Sequence, residues 1–124
     1  MQRLSKRRIL LTFLLITLAA VVVAFLGYRE RCALTKAKED VLRQDLFTLR
    51  AAIDGYKADQ RRFPAAISEP VSAGYLRRVL VDPMTGRNDT WIVQWSAGPR
   101  SPGIVDIRSG SKSIGRDGTP YATW

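Results

Sequence analysis

The groups that could do chemistry in this chain are few, and the missing ones are as informative as those present. Among 124 residues there is one cysteine, Cys32, and no histidine. That removes a Cys/His zinc site, a Cys–His pair, a Ser-His-Asp triad and a disulfide framework together. No glycine-rich phosphate loop of recognisable spacing occurs, and Asp82, Asp89, Asp106 and Asp117 stand at turn or strand positions with no base paired to them. Short acids at such places serve turn geometry. The expectation is a protein that is not an enzyme. One constellation could hold an ion: Asp117, with oxygens of Ser109, Ser111 and Thr119, forms a candidate oxygen-only cage for a hard cation such as Ca²⁺, which takes about six to eight oxygens. Its single carboxylate, with Lys112 and Arg116 close by, makes the cage electrostatically poor. No other cofactor is called for.

The elements that would position these groups begin with an apolar segment. Ile9–Leu26 reads ILLTFLLITLAAVVVAFL, 18 residues broken only by two threonines, whose hydroxyls can bond back to their own helix. Its length approaches a bilayer span. Arg3, Lys6, Arg7 and Arg8 precede it, against Arg29, Glu30 and Arg31 behind it. The positive-inside rule then favours a cytoplasmic N-terminus and a periplasmic or extracytoplasmic remainder. A cleaved signal peptide is the competing reading, since Val22 and Ala24 fit the small-residue positions before a cut at Phe25. Against it, the apolar run exceeds the usual core of about 7–15 residues. Cys32 follows Arg29, Glu30 and Arg31 rather than a lipoprotein box, and reads as a free thiol near the membrane surface. The first 27 residues carry four basic groups and no acid, which leaves +5 of the formal +9 for the rest. That excess is scattered rather than gathered into a stripe, which argues against nucleic acid as a partner.

From Glu30 to Gln60 there is no proline, and Leu34, Leu42, Leu46, Leu49, Ile53 and Tyr56 recur at helical spacing. Nothing between Gly27 and Leu34 stops a helix, so span and stripe can run on as one rod of about 50 residues, roughly 75 Å long. Pro64, Pro70 and Gly74 mark a loop, and Tyr75–Leu80 is open between a helical turn and an extended segment. Asp82-Pro83-Met84-Thr85-Gly86 has turn chemistry. Thr90–Trp95 and Ile104–Arg108 read as a hairpin, with Trp91 and Trp95 four apart on one face and expected in the core. The turn-rich tail Ser109–Pro120 ends in Tyr121 and Trp124 and must be pinned by something.

This order of features resembles type IV pilins, and especially the G-type major pseudopilin of type II secretion systems. The resemblance rests on Asp45–Asp59 followed by Arg62-Phe63-Pro64, on Tyr75–Arg78 with Val81-Asp82-Pro83-Met84-Thr85-Gly86, and on Gly103–Ser111 with Asp117–Tyr121 and Trp124. Together these cover Ala37 to Trp124. The family's processing signals are not matched: the expected glutamate falls near Leu11, and no glycine precedes Gly27. The resemblance also implies a calcium loop, in which Lys112 stands where relatives often have Asp and only Asp117 carries over well.

The expected fold is α+β and pilin-like, a long N-terminal helix with a membrane-spanning first half, packed on a small antiparallel sheet. The expected divisions are a basic cytoplasmic leader over 1–8, a transmembrane helix over 9–28 and a periplasmic domain over 29–124. That domain divides into helix 30–60, loop 61–89, hairpin 90–108 and C-terminal loop 109–124. Helix packing is assigned to Leu14, Leu18, Ala20 and Val21 in the membrane and to Leu42, Leu46, Leu49 and Ile53 beyond it. What this implies is a single-pass inner-membrane subunit or assembly component of a type II secretion or type IV pilus system. Its partners would be membrane lipid and other pilin-like subunits or secretion-system membrane proteins. The alternative is a non-polymerising envelope scaffold or regulatory domain of the same shape.

Overall fold

The computed structural model describes residues 2–99 and 102–124. The side chain of Arg3 and the tip of the expected hairpin loop at 100–101 lie outside the described residues. Helix α1 runs Gln2–Gln60. Thr12, Thr17, Thr35 and Thr48 spend their hydroxyls on carbonyls three or four residues back, at 2.8–2.9 Å, so they do not interrupt it. The helix stops where Arg61 turns to φ 60° and its amide bonds to the Lys57 carbonyl at 2.9 Å, a left-handed cap.

The chain divides into two compact units, Met1–Thr35 and Lys36–Trp124. The described part of the first is helix alone. Its apolar side chains find no cover within the chain, with Leu14 64 % and Leu18 59 % exposed. At 1.5 Å per residue, Ile9–Leu26 is about 27 Å long, close to the ~30 Å hydrocarbon layer of a bilayer. The helix is long and apolar enough to cross a membrane.

The second unit is α+β: the later part of α1 (from Lys36), helix α2 (Ser68–Ser72), strands β1 (Ile92–Trp95) and β2 (Ile104–Arg108), and a 3-10 turn at Tyr121–Thr123. Its core joins Leu42, Leu46, Leu49 and Ile53 of α1 to Leu76, Trp91, Ile104, Ile107 and Tyr121. The antiparallel strands pair Ile92 with Arg108, Val93 with Ile107 and Gln94 with Asp106, and a shift then sets Trp95 opposite Ile104.

Several expectations are corrected here. The stretch 61–89 holds α2, because Pro70 sits in a first helical turn, where its missing N–H costs no bond. Glu69 accepts from Tyr56 Oη, Arg62 Nη1 and the Ala65 amide at 2.8–3.1 Å, tying α2 back to α1. Tyr75–Leu80 is neither helix nor strand. Leu34 belongs to the first unit and is exposed, and the buried α1 residue nearest to it in unit two is the acid Glu39. Trp91 and Trp95 do not share a core face. Trp91 precedes β1, is buried and donates Nε1–H to the Leu80 carbonyl at 2.7 Å, whereas the register shift leaves Trp95 55 % exposed.

Candidate functional site

The sequence-derived oxygen cage separates into two pairs. Ser109 and Ser111 are buried beside Asp82, whose carboxylate is fully enclosed. Asp82 Oδ2 accepts from Ser109 Oγ at 2.7 Å and from the Gly110 amide at 3.1 Å, and Oδ1 accepts from the Met84 amide at 2.8 Å. Ser109 Oγ in turn receives the Ser111 amide. These donors leave Asp82 as the clasp between the 82–87 turn and the segment after β2. Asp117 and Thr119 are bonded to each other. Asp117 Oδ1 accepts from the Thr119 hydroxyl at 2.7 Å and the Thr119 amide at 2.9 Å, and these two bonds hold its carboxyl below the usual range. Among the described residues no hydrogen bond joins the two pairs, and no group of three or more His, Cys, Asp or Glu side chains could hold a metal.

The helix-packing residues also divide. Leu42, Leu46, Leu49 and Ile53 are core, whereas Leu14, Leu18, Ala20 and Val21 are exposed in unit one.

What pins the tail is a pair of charged residues on α1 that hydrophobic periodicity does not single out. Glu39 is 7 % exposed, and its Oε1 accepts from the Tyr121 hydroxyl at 2.9 Å and the Arg116 amide at 2.8 Å. Burial, then the Glu39 bond, pushes the Tyr121 phenol up. Arg50 sits three turns on. Its Nε donates to Asp106 Oδ1 at 2.7 Å, and its Nη2 donates to the main-chain oxygens of Ile107 at 3.0 Å and Trp124 at 2.7 Å. Burial alone would raise the Asp106 carboxyl, but the Ile107 amide and the Arg50 guanidinium together bring it below the usual value.

Between α1 and this pinned tail lies an open groove of about 680 Å³, lined by Arg43, Phe47, Arg50 and Asp54 on one wall and Asp117 and Trp124 on the other. Trp124 is fixed in that wall: the ring stands edge-on to Tyr121 at 5.1 Å, and Nε1 donates to Thr119 Oγ1 at 2.7 Å. The Arg43 guanidinium stacks on that ring at 4.3 Å. Phe47 is 70 % exposed. The groove lining thus offers a stacked guanidinium, an exposed aromatic ring and the carboxylates of Asp54 and Asp117. Comparison with protein-family models, with curated proteins and with solved structures returns no match for this chain. The site is therefore read from its own residues.

Proposed function

We propose that this chain is a membrane-tethered, pseudopilin-like assembly component that works through helix packing and protein contacts rather than catalysis. The observation that carries this reading is that one helix, α1, supplies both an uncovered apolar segment and the core face of a small α+β unit. In lipid, helices associate through close packing of small residues. Ala19, Ala20 and Ala24 are placed for it, beside Leu14, Leu18 and Val21. The basic residues Arg3, Lys6, Arg7 and Arg8 ahead of the span favour a cytoplasmic N-terminus and a periplasmic second unit, with the inner membrane between. The partners on this reading are other pilin-like subunits or secretion-system membrane proteins.

A second reading, a tethered scaffold or regulator that does not polymerise, is favoured by Leu11, an exposed apolar residue where the pilin pattern puts a glutamate. Disulfide trapping decides between them. A Leu18→Cys, Cys32→Ser chain in its native membrane should form covalent dimers under mild oxidation if copies pack span to span. Monomers alone would reject the subunit reading in favour of the scaffold.

A further inference from the structure

The groove beside Trp124 presents Arg43 near one end and Asp54 near the other, with the exposed Phe47 ring between them. At one end Arg43 is stacked on Trp124 and makes no hydrogen bond among the described residues; its nearest acid, Asp117 Oδ2, is 3.8 Å away, and the Arg43 side chain is 62 % exposed. Stacking orients the guanidinium fork while leaving its donors unspent, an arrangement suited to an incoming carboxylate. Eleven residues further along α1, about 16 Å away at 1.5 Å per residue, Asp54 lines the other end, exposed and without a partner among the described residues. Phe47 and Ala51 lie between them, both exposed. Phe47 is more exposed than any other large apolar side chain of the second unit.

We infer that this groove docks an amphipathic helix of a partner protein that carries an acid and a base about three turns apart with apolar residues between them. Charge decides the class of occupant. With Arg50 bound to Asp106, the groove keeps Arg43, Asp54 and Asp117, a mixed set that favours a segment carrying both signs over a polyanion such as nucleic acid. The wall is three helical turns long, which suits a helix laid in a groove. A second copy laid parallel in the groove would bring Arg43 beside Arg43 and Asp54 beside Asp54. The inference does not need the membrane reading, because every residue it uses belongs to the second unit.

The test uses the full chain in detergent micelles and three labelled helical peptides, alike except at two positions ~11 apart, which carry Glu and Lys, Glu and Glu, or Lys and Lys. Fluorescence anisotropy should find the Glu/Lys peptide bound at least tenfold tighter than the other two. The Asp54→Lys variant should move that preference to Glu/Glu, the Arg43→Glu variant to Lys/Lys, and Phe47→Ala should weaken all three. Both charged side chains are exposed, so far-ultraviolet circular dichroism should be unchanged in these variants. Equal affinities, no binding, or a preference that ignores the substitutions overturns the inference. So does photo-crosslinking from p-benzoylphenylalanine at position 47 in native membranes that captures only a second copy. None of these outcomes bears on span packing at Leu18, so the two proposals fail separately.

Discussion

Arg50 Nη2 lies 2.7 Å from the main-chain oxygen of Trp124, a bond that spans 74 residues of sequence. Through the same guanidinium the middle of α1 also holds β2 at Asp106 and Ile107. Arg50 thus holds the main chain of Trp124 from behind, while Tyr121 and Thr119 hold its ring.

Removing that side chain should loosen the tail before it unfolds the core. Arg50→Ala forfeits three bonds, but the Arg50 side chain is 38 % exposed, so solvent recovers part of the loss. The expected cost is about 2 kcal/mol, or a Tm fall of roughly 8–16 °C for a domain of this size. Arg50→Lys should recover less than half, because an ammonium cannot reproduce the fork. Thermal unfolding of the full chain followed by tryptophan fluorescence measures both, and a wild-type Tm for Arg50→Ala would refute the clasp.

Glu39 and Tyr121 should prove coupled. Glu39→Ala leaves the Tyr121 hydroxyl and the Arg116 amide without their acceptor, at a cost of about 2–4 kcal/mol. Tyr121→Phe alone removes one donor and should cost about 1 kcal/mol. A double-mutant cycle should return a coupling of about 1 kcal/mol. Denaturant titrations of the four proteins give that number, and additive losses would mean the two side chains act independently.

Two carboxylates should bend the pH profile in opposite directions. Asp106 has its pKa lowered in the fold, so its stabilisation is present above the unfolded value near 3.8 and is lost as pH falls through the lower folded value. Asp45 is the reverse: burial first, and then the charge of Asp82, raise its pKa. Its charged form opposes folding at neutral pH, and that opposition fades as pH falls through the raised value. Asp45→Asn should therefore stabilise the chain at pH 7 and lose its advantage toward pH 3. Asp106→Asn should destabilise at pH 7 and converge on wild type in acid. Urea unfolding at pH steps between 7 and 2 reads both slopes, and parallel curves would contradict the assignment.

Much of this fold was legible because it rests on repeating apolar positions. Leu42, Leu46, Leu49 and Ile53 announce a buried helix face by spacing alone, and the uninterrupted run Ile9–Leu26 announces an uncovered one. The site was harder to read, since it depends on single residues whose partners lie far along the chain. Glu39 looks like one more acid on a charged helix until Tyr121, 82 residues away, is seen to bond it. Pro70 reads as a loop marker because proline in a first helical turn and proline in a loop look alike without the flanking bonds. Strand alternation assumes an unbroken register, and the shift after Gln94 breaks it and leaves Trp95 outside the core. The Ca²⁺ cage joins oxygens by proximity in sequence, whereas one of them, the Ser109 hydroxyl, is bonded to Asp82, 27 residues upstream.

The approach of Gly110 to Thr90 gives a sharp packing test. A Cβ on Gly110 would lie 1.8 Å from the Thr90 carbonyl oxygen and 2.8 Å from its carbon, both backbone atoms that cannot rotate away. Gly110→Ala must therefore push the Asp82 clasp apart, and a loss above about 3 kcal/mol is expected. At Gly74 the φ of +88° strains any side chain, but nothing lies within 4 Å. Gly74→Ala should cost only about 1 kcal/mol, the penalty of the left-handed backbone. Equal costs for the two, measured by thermal unfolding, would mean that Thr90 and Gly110 are not in contact.

The apolar half of α1 yields the last prediction. If Ile9–Leu26 crosses a bilayer, Leu18 lies near its centre, where an arginine costs about 2.5–3.5 kcal/mol of insertion free energy. Leu18→Arg should shift the chain toward the alkali-extractable fraction of membranes. Leu18 lies outside the second unit, so the near-ultraviolet spectrum of that unit should be unchanged. A conservative Leu18→Val should remain fully membrane-bound. Retention of Leu18→Arg at wild-type levels would show that the segment does not pass through the hydrocarbon at that point, and the tether would have to be explained by surface association instead.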